Sequence, residues 1–179
     1  GAALATVVRT WGSAPRRAGS HLAIEAGGGF VGSVSGGCVE AEVVRQGREV
    51  CATGIPRLLD FTVTDSEAWQ VGLACGGQVR IYVEPAGRDA TYPALLAARA
   101  ARRAVVLITR LQDGVRALVD GPDVSGPLEP PAPALQEARD VLEREHAVDP
   151  ARVLPAEDRQ QPRALREALH DDIDRVVAV

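Results

Sequence analysis

Lysine is absent from the 179 residues, so all 20 basic side chains are arginine, which together with the richness in alanine reads as a compositional bias rather than as chemistry. Aromatic residues make up only 3%, so a core has to be assembled from valine, leucine, alanine and isoleucine. The 46% apolar content is ample for such a core and argues against disorder. No apolar run approaches the ~20 residues that a bilayer-spanning helix needs. The N-terminus lacks the charged and apolar regions of a secretory signal. The expectation is a cytoplasmic protein without a membrane span, and the start at Gly1 rather than methionine suggests either an artificial boundary or missing upstream residues. An excess of positive charge is also missing: the net charge is -4. The arginines are scattered, with adjacent pairs only at Arg16-Arg17 and Arg102-Arg103, which argues against a general nucleic-acid binder.

Three motifs are missing as well. Neither GxGxxG nor GxxxxGK[ST] occurs, so there is no NAD, FAD or P-loop fingerprint. No CxxC pair occurs, and Cys38, Cys51 and Cys75 are far apart, so no zinc site is expected. Three cysteines in a chain of this length do not make a disulfide framework and fit a reducing compartment.

What is present alternates between strand and helix signals. Strands are expected at Ala3 to Thr10, across "HLAIEA", "FVGSVS" and "RLLDFTV", and at Gln78 to Glu84. Gly27 to Gly29 supplies a hairpin turn. From Cys38 to Gly54 the period becomes helical: Val39, Val43, Val44, Gly47, Val50, Cys51 and Gly54 fall within one arc of about 140°. Gly54 is a natural C-cap with Pro56 behind it. "DSEAWQVGLA" is ambiguous and could form a helical turn. Ala90 to Arg103 reads as helix, and Asp113-Gly114 as the turn of a second hairpin. Gly121 to Pro133, with five prolines, reads as loop or linker. Ala134 to His146 is an amphipathic helix, and a short helix at Arg163 to His170 precedes an apolar end. The expected class is α/β in an α+β arrangement: a mixed sheet with packed helices, without a complete Rossmann domain. The expected segments are 1–87 as a glycine/cysteine-motif domain, 88–121 as a helix plus hairpin extension, 122–133 as a Pro-rich linker, and 134–179 as a helical tail.

Two junctions stand out, "SGGCVE" (Ser35 to Glu40) and "ACGG" (Ala74 to Gly77). A thiol at a helix start gains thiolate character, and bare amides beside glycine can hold a phosphate. The same residues can equally be a cap, with Gly37 as N-cap and Glu40 reaching back to the backbone. The residues alone leave both readings open for Cys38 and favour the plain one for Cys75. Cys51, inside the apolar arc, belongs to the core. His21 is the one histidine near the glycine-rich region that could partner a nucleophilic cysteine, and it can equally be an exposed strand residue, the commoner case. Arg16-Arg17 can clamp an anion or simply be solvated.

"ATVVRTWGSAPRRAGSHLAI", "FVGSVSGGCVEAEVV" and "WQVGLACGGQVRIYVEP" occur in this order over about half the chain. Together they resemble the XdhC/CoxI family, the accessory proteins of xanthine dehydrogenase and of the related carbon monoxide dehydrogenase. The resemblance implies a carrier with no catalytic residues of its own, more a maturation factor than an enzyme. It would bind the molybdenum cofactor, a pterin dithiolene with a terminal phosphate, and deliver it to an apo-molybdoenzyme. Carried onto this sequence, the cofactor-binding positions are Gly12, Ser13, Arg16, Arg17, Ser33, Ser35, Gly36, Gly37, Cys38, Glu40, Cys75, Gly76 and Gly77, with Cys38 as candidate contact to molybdenum. A cysteine desulfurase is a further candidate partner, and a homodimer is expected. Typical members continue into a Rossmann-like domain whose glycine-rich turn is missing here. The rival expectations are a cysteine-dependent sulfur-transfer or oxidoreductase enzyme, and a protein–protein adaptor that binds no cofactor.

Overall fold

The computed structural model of the chain describes residues 1–12, 14–37, 39–62, 77–87, 89–147 and 175–178. The chain divides into two compact units, Gly1–Arg88 with Leu111–Asp113 and Asp89–Arg110 with Gly114–Val179. The expected turn within "DSEAWQVGLA" and the helix at Arg163 to His170 lie outside the described residues.

In the first unit the strands are β1 (Ala2–Trp11), β2 (His21–Glu25), β3 (Phe30–Gly32), β4 (Arg57–Thr62) and β5 (Gln78–Pro85), with helix α1 (Glu40–Thr53) between β3 and β4. They form one sheet of order β3-β2-β1-β5-β4. Every pairing in it is antiparallel. The α+β arrangement is thus as expected, with the helix packed on a sheet.

Period-two alternation puts Ala3, Ala5 and Val7 of β1, Leu22 and Ile24 of β2, and Val79, Ile81 and Val83 of β5 into one core with Val43 and Val50 of α1. Val39, Val44 and Cys51 pack half-buried against it, as the helical arc requires. The Cys51 thiol lies 4.0 Å from the Ile24 carbonyl oxygen. Gly54 closes the helix in the left-handed conformation, φ 71°, donating its N–H to the Val50 carbonyl. The helix begins at Glu40 rather than at Cys38.

Gly47 is what lets α1 lie so close to the sheet: a Cβ there would sit 2.4 Å from Cδ1 of Ile24. Gly47→Ala gains about 1 kcal/mol of helix propensity but overpacks Ile24, at a typical cost of about 1–3 kcal/mol. A double-mutant cycle with Ile24→Val, followed by urea denaturation, should therefore give a coupling of about 1 kcal/mol. Additive effects would show that the helix simply moves away.

This topology gives the first unit two poles. One carries the ends of β1, β3 and β4, the starts of β2 and β5, and the start of α1. The other carries the hairpin turn after Glu25, the end of α1 and the end of β5. β3 is an edge strand, with Phe30 52% and Val31 79% exposed.

In the second unit the strands are β6 (Val106–Thr109), β7 (Arg116–Asp120), β8 (Asp123–Ser125) and β9 (Arg175–Ala178), in the order β8-β7-β6-β9 and again all antiparallel. The helices are α2 (Thr91–Ala100) and α3 (Ala132–Ala147). One face of the sheet (Val106, Ile108, Ala117, Val119) packs with Ala138, Val141 and Leu142 of α3. The other (Leu107, Leu118) packs with Ala94, Leu95 and Ala98 of α2. Covering both faces is why β6 reads as an unbroken apolar run. Among the described strands no parallel pair occurs, so they do not build a Rossmann sheet.

Gly114, φ 76°, sits in the expected β6–β7 turn. The Pro-rich stretch expected to be loop instead contains β8. Gly121, φ 60°, and Pro122 turn the chain so that Asp123 pairs with Asp120. α3 starts at Ala132, with Pro133 in its first turn, where a missing N–H costs nothing. Buried Arg116 lies 3.2 Å from Asp89, with its guanidinium 4.6 Å from the Tyr92 ring centroid. Asp89 in turn accepts the Thr91 N–H at 2.9 Å at the start of α2.

α2 ends on Arg102 at φ 54°, a left-handed residue with a side chain, while the Arg103 N–H bonds back to the Ala98 carbonyl. Glycine removes the steric penalty at such a position. Arg102→Gly is expected to stabilise by about 0.5–1 kcal/mol, read as a rise in midpoint temperature. A fall would mean that the arginine side chain contributes more than its backbone costs.

Candidate functional site

Two of the sequence motifs meet at the first pole, and the described end of the third, Gly77, leads into β5 at the same end of the sheet. β1 ends there in Trp11 and Gly12, β3 ends there in Gly32 and opens the loop Ser33–Gly37, and Gly77 enters β5, whose first residue Gln78 pairs with Trp11. The loops after β1 and β3 touch. A Cβ on Gly36 would lie 3.7 Å from Cβ of Pro15, and Arg16 Nε donates to Ser33 Oγ at 3.1 Å.

The loop after β3 is wrapped around one side chain. Glu40 Oε1 accepts from Ser33 Oγ at 2.8 Å and from the amides of Val34, Ser35 and Gly36 at 3.2, 2.9 and 3.0 Å. Glu40 Oε2 accepts from the Gly37 amide at 2.8 Å and from Ser35 Oγ. Six donors thus converge on a carboxylate that is only 8% exposed. Gly36 at φ 80° and Gly37 at φ 122° allow successive amides to turn inward, a backbone path that side chains resist. The serines complete the set. Ser33 Oγ accepts from Gly36 N at 3.0 Å as well as from Arg16, and Ser35 Oγ accepts from Val39 N at 3.0 Å.

Burial alone would push the Glu40 carboxyl up. The hydrogen bonds from the Ser35 hydroxyl and amide, then from Ser33 and the Gly37 amide, outweigh it and bring its pKa from 4.5 down to about 2. Glu40 is therefore a fixed anion at any physiological pH.

This arrangement revises one expectation. The glycine-flanked amides read from the sequence as a place for a phosphate are already occupied by the protein's own carboxylate. The expected reach of Glu40 back to Gly37 is present, but it is one bond of six, and Glu40 stands at the first helical position rather than the third.

The remaining expected positions divide as follows. Arg16 and Arg17 are both exposed. Among the described residues the Arg16 side chain bonds only Ser33, while the Arg17 carbonyl accepts the Ser20 N–H at 3.1 Å. Gly12 turns the chain at φ 67°. Ser13, Cys38, Cys75 and Gly76 lie outside the described residues. Among the described residues no group of three or more His, Cys, Asp or Glu is placed to hold a metal ion, and no helix is long and apolar enough to cross a membrane.

One cluster goes beyond the sequence motifs. The guanidinium of Arg9 lies 4.6 Å, and that of Arg80 5.7 Å, from the Trp11 ring centroid. Arg80 also pairs with Asp60 at 2.6 Å. Arg9 and Arg80 are register partners across β1 and β5, a like-charge pair that would repel without the indole and the carboxylate. The signal for it is the Arg-x-Trp spacing on β1 facing Gln-x-Arg on β5. The indole is thereby a packed residue with cations against it.

An antiparallel α+β unit with a carboxylate-filled glycine loop at one pole is the class that fold and site define. Residues 1–62 match the sequence model of the XdhC and CoxI family. The chain is 36% identical over 87 residues to a probable xanthine dehydrogenase subunit from Bacillus subtilis (strain 168), covering 46% of this chain and 26% of that protein. It is 33% identical over 82 residues to "Molybdenum cofactor insertion chaperone PaoD" of Escherichia coli (strain K12), covering 45% of this chain and 25% of that one. The match thus spans about a quarter of each of these relatives. A crystal structure of a xanthine dehydrogenase from Bacillus halodurans shares the fold, with a TM-score of 0.62 over 75% of this chain and 43% of that one at 23% identity.

Proposed function

We propose that this chain acts in maturation of a molybdoenzyme: it binds the molybdenum cofactor as cargo, shields it, and passes it to an apo-enzyme of the xanthine dehydrogenase or carbon monoxide dehydrogenase type. The reading is supported by the family match over residues 1–62 and by a similar protein named as a molybdenum cofactor insertion chaperone. The observation that carries it is the contact between the loops after β1 and β3, where exposed Arg16 is tied to the loop that leads into Cys38. The chemistry suits the cargo. Arginine matches a phosphate bidentately, and a thiol suits a soft molybdenum–sulfur centre. Cys38 and Cys75 are proposed for the sulfur-rich end, and Gly12, Ser13, Arg16, Arg17, Gly76 and Gly77 for the surroundings of the phosphate and pterin. The buried set Ser33, Ser35, Gly36, Gly37 and Glu40 is proposed as the frame that holds these in place. The chain contributes binding and protection rather than turnover. A cysteine desulfurase as donor partner and a homodimeric state accompany the proposal.

The test is retention. Purified protein incubated anaerobically with cofactor released from a molybdoenzyme is passed through gel filtration, and molybdenum and pterin are measured in the protein peak. Co-elution near one cofactor per chain, reduced by Cys38→Ser, is the expected result. A protein peak free of both overturns the function.

A further inference from the structure

We infer that Arg16 is the residue that reads the phosphate monoester of the cargo, and that Glu40, acting through Ser33, is its positioning residue. The inference rests on the carrier function proposed above. Two observations lead to it. First, the loop amides cannot do the reading, because the amides of Val34, Ser35, Gly36 and Gly37 all donate to Glu40. Among the described residues of this loop, recognition of an anion then falls to side-chain cations.

Second, the cations there are not equivalent. Arg9 and Arg80 lie against Trp11, and Arg80 also pairs with Asp60. Arg16 and Arg17 are both exposed, but among the described residues only the Arg16 side chain is held, by Nε on Ser33 Oγ at 3.1 Å. That hydroxyl has no freedom left. Its proton goes to Glu40 Oε1, and its two lone pairs accept from Arg16 and from the Gly36 amide. Glu40 is immobilised by its five other donors. The relay from buried carboxylate to hydroxyl to guanidinium therefore orients Arg16 in the free protein. With Nε committed, the paired Nη groups remain, the fork that matches two oxygens of a phosphate. Holding a long side chain before the ligand arrives removes an ordering cost that an untethered arginine meets on binding.

The experiment uses two fluorescent probes made from the cofactor by air oxidation, the pterin with its phosphate intact and the same pterin after phosphatase treatment. Wild-type protein is expected to bind the phosphorylated probe roughly tenfold or more tighter, the scale of one charged hydrogen-bond pair. Arg16→Ala and Arg16→Lys should bring that ratio close to one. Ser33→Ala should lower it several-fold while Glu40 keeps its other donors, so that the fold survives with a reduced thermal midpoint. Ser33→Thr, which restores the hydroxyl, should restore the ratio. Arg99→Ala, an exposed charge in the second unit, controls for net charge. A ratio near one in the wild type, or an unchanged ratio in Arg16→Ala, overturns the inference while leaving cofactor retention, and so the carrier function, standing. An unchanged ratio in Ser33→Ala overturns the positioning role alone. Absence of cofactor from the wild-type protein peak in the retention assay is the distinct failure of the function itself.

Discussion

Glu40→Ala is expected to cost about 3–5 kcal/mol of folding stability, the usual scale for breaking a buried, fully hydrogen-bonded charge network. Four loop amides and two hydroxyls lose their acceptor at once, and among the described residues no other carboxylate bonds these donors. Since a domain is stable by only about 5–15 kcal/mol, the variant sits near the edge of folding. Glu40→Gln separates charge from shape. Its single oxygen can serve one side of the nest, but its NH2 group then meets donors, either those of Ser35 and Gly37 or those of Ser33 and the neighbouring amides. Its loss should be smaller, about 2–4 kcal/mol. Urea midpoints at constant slope measure both.

The pH dependence follows with a definite sign. The folded-state pKa lies below the ordinary value of 4.5, at about 2. The stabilisation is therefore complete above about pH 4.5 and is lost as pH falls toward 2, by about 3 kcal/mol in all. Glu40→Gln should lack this part of the acid transition. If wild type and Glu40→Gln run parallel from pH 5 to pH 2, the carboxylate is not held as the hydrogen bonds indicate.

Gly32→Ala should be nearly as damaging, by about 2–4 kcal/mol. Gly32 has φ 103°, and an added Cβ would lie 2.3 Å from the His21 carbonyl oxygen and 3.3 Å from Leu22 Cα. Both neighbours are backbone of the paired strand β2, so no side chain can swing aside. The left-handed strain of about 1–3 kcal/mol adds to the clash. Gly126 repeats the situation at the end of β8, with φ 111° and the Arg116 carbonyl oxygen at 2.6 Å. Gly27, in the hairpin turn, is the matched control, because a Cβ there meets nothing within 4 Å. Gly27→Ala should stay within about 0.5 kcal/mol of wild type. Equal midpoints for Gly32→Ala and Gly27→Ala would show that β3 can shift on β2 without penalty.

Much of the fold was legible because local patterns agreed with the tertiary answer. The seven-residue arc from Val39 to Gly54 names the buried face of α1, and the alternation in "QVRIYVE" names the core residues Val79, Ile81 and Val83. Asp113-Gly114 marks the second hairpin. What stayed hidden depended on contacts distant in sequence. β8 is a strand only because Gly121 folds three polar-flanked residues onto β7, and its own composition reads as loop. The role of Glu40 was legible only in part. Its spacing from Gly37 announces a capping bond, but nothing local shows that Ser33, Ser35 and four amides all turn toward it. Likewise the Arg9–Trp11–Arg80 stack needs the register of β1 against β5, which the chain specifies only once folded.

The separation of the two poles has a practical outcome. β1 runs the length between them, ten residues or about 33 Å of extended chain. A fluorophore or surface tether attached at Gly27 would sit at the end of the first unit opposite the motif loops. A tether at that end keeps the attachment chemistry away from the motif loops of the first unit, so cargo capture could be followed by surface plasmon resonance without modifying them.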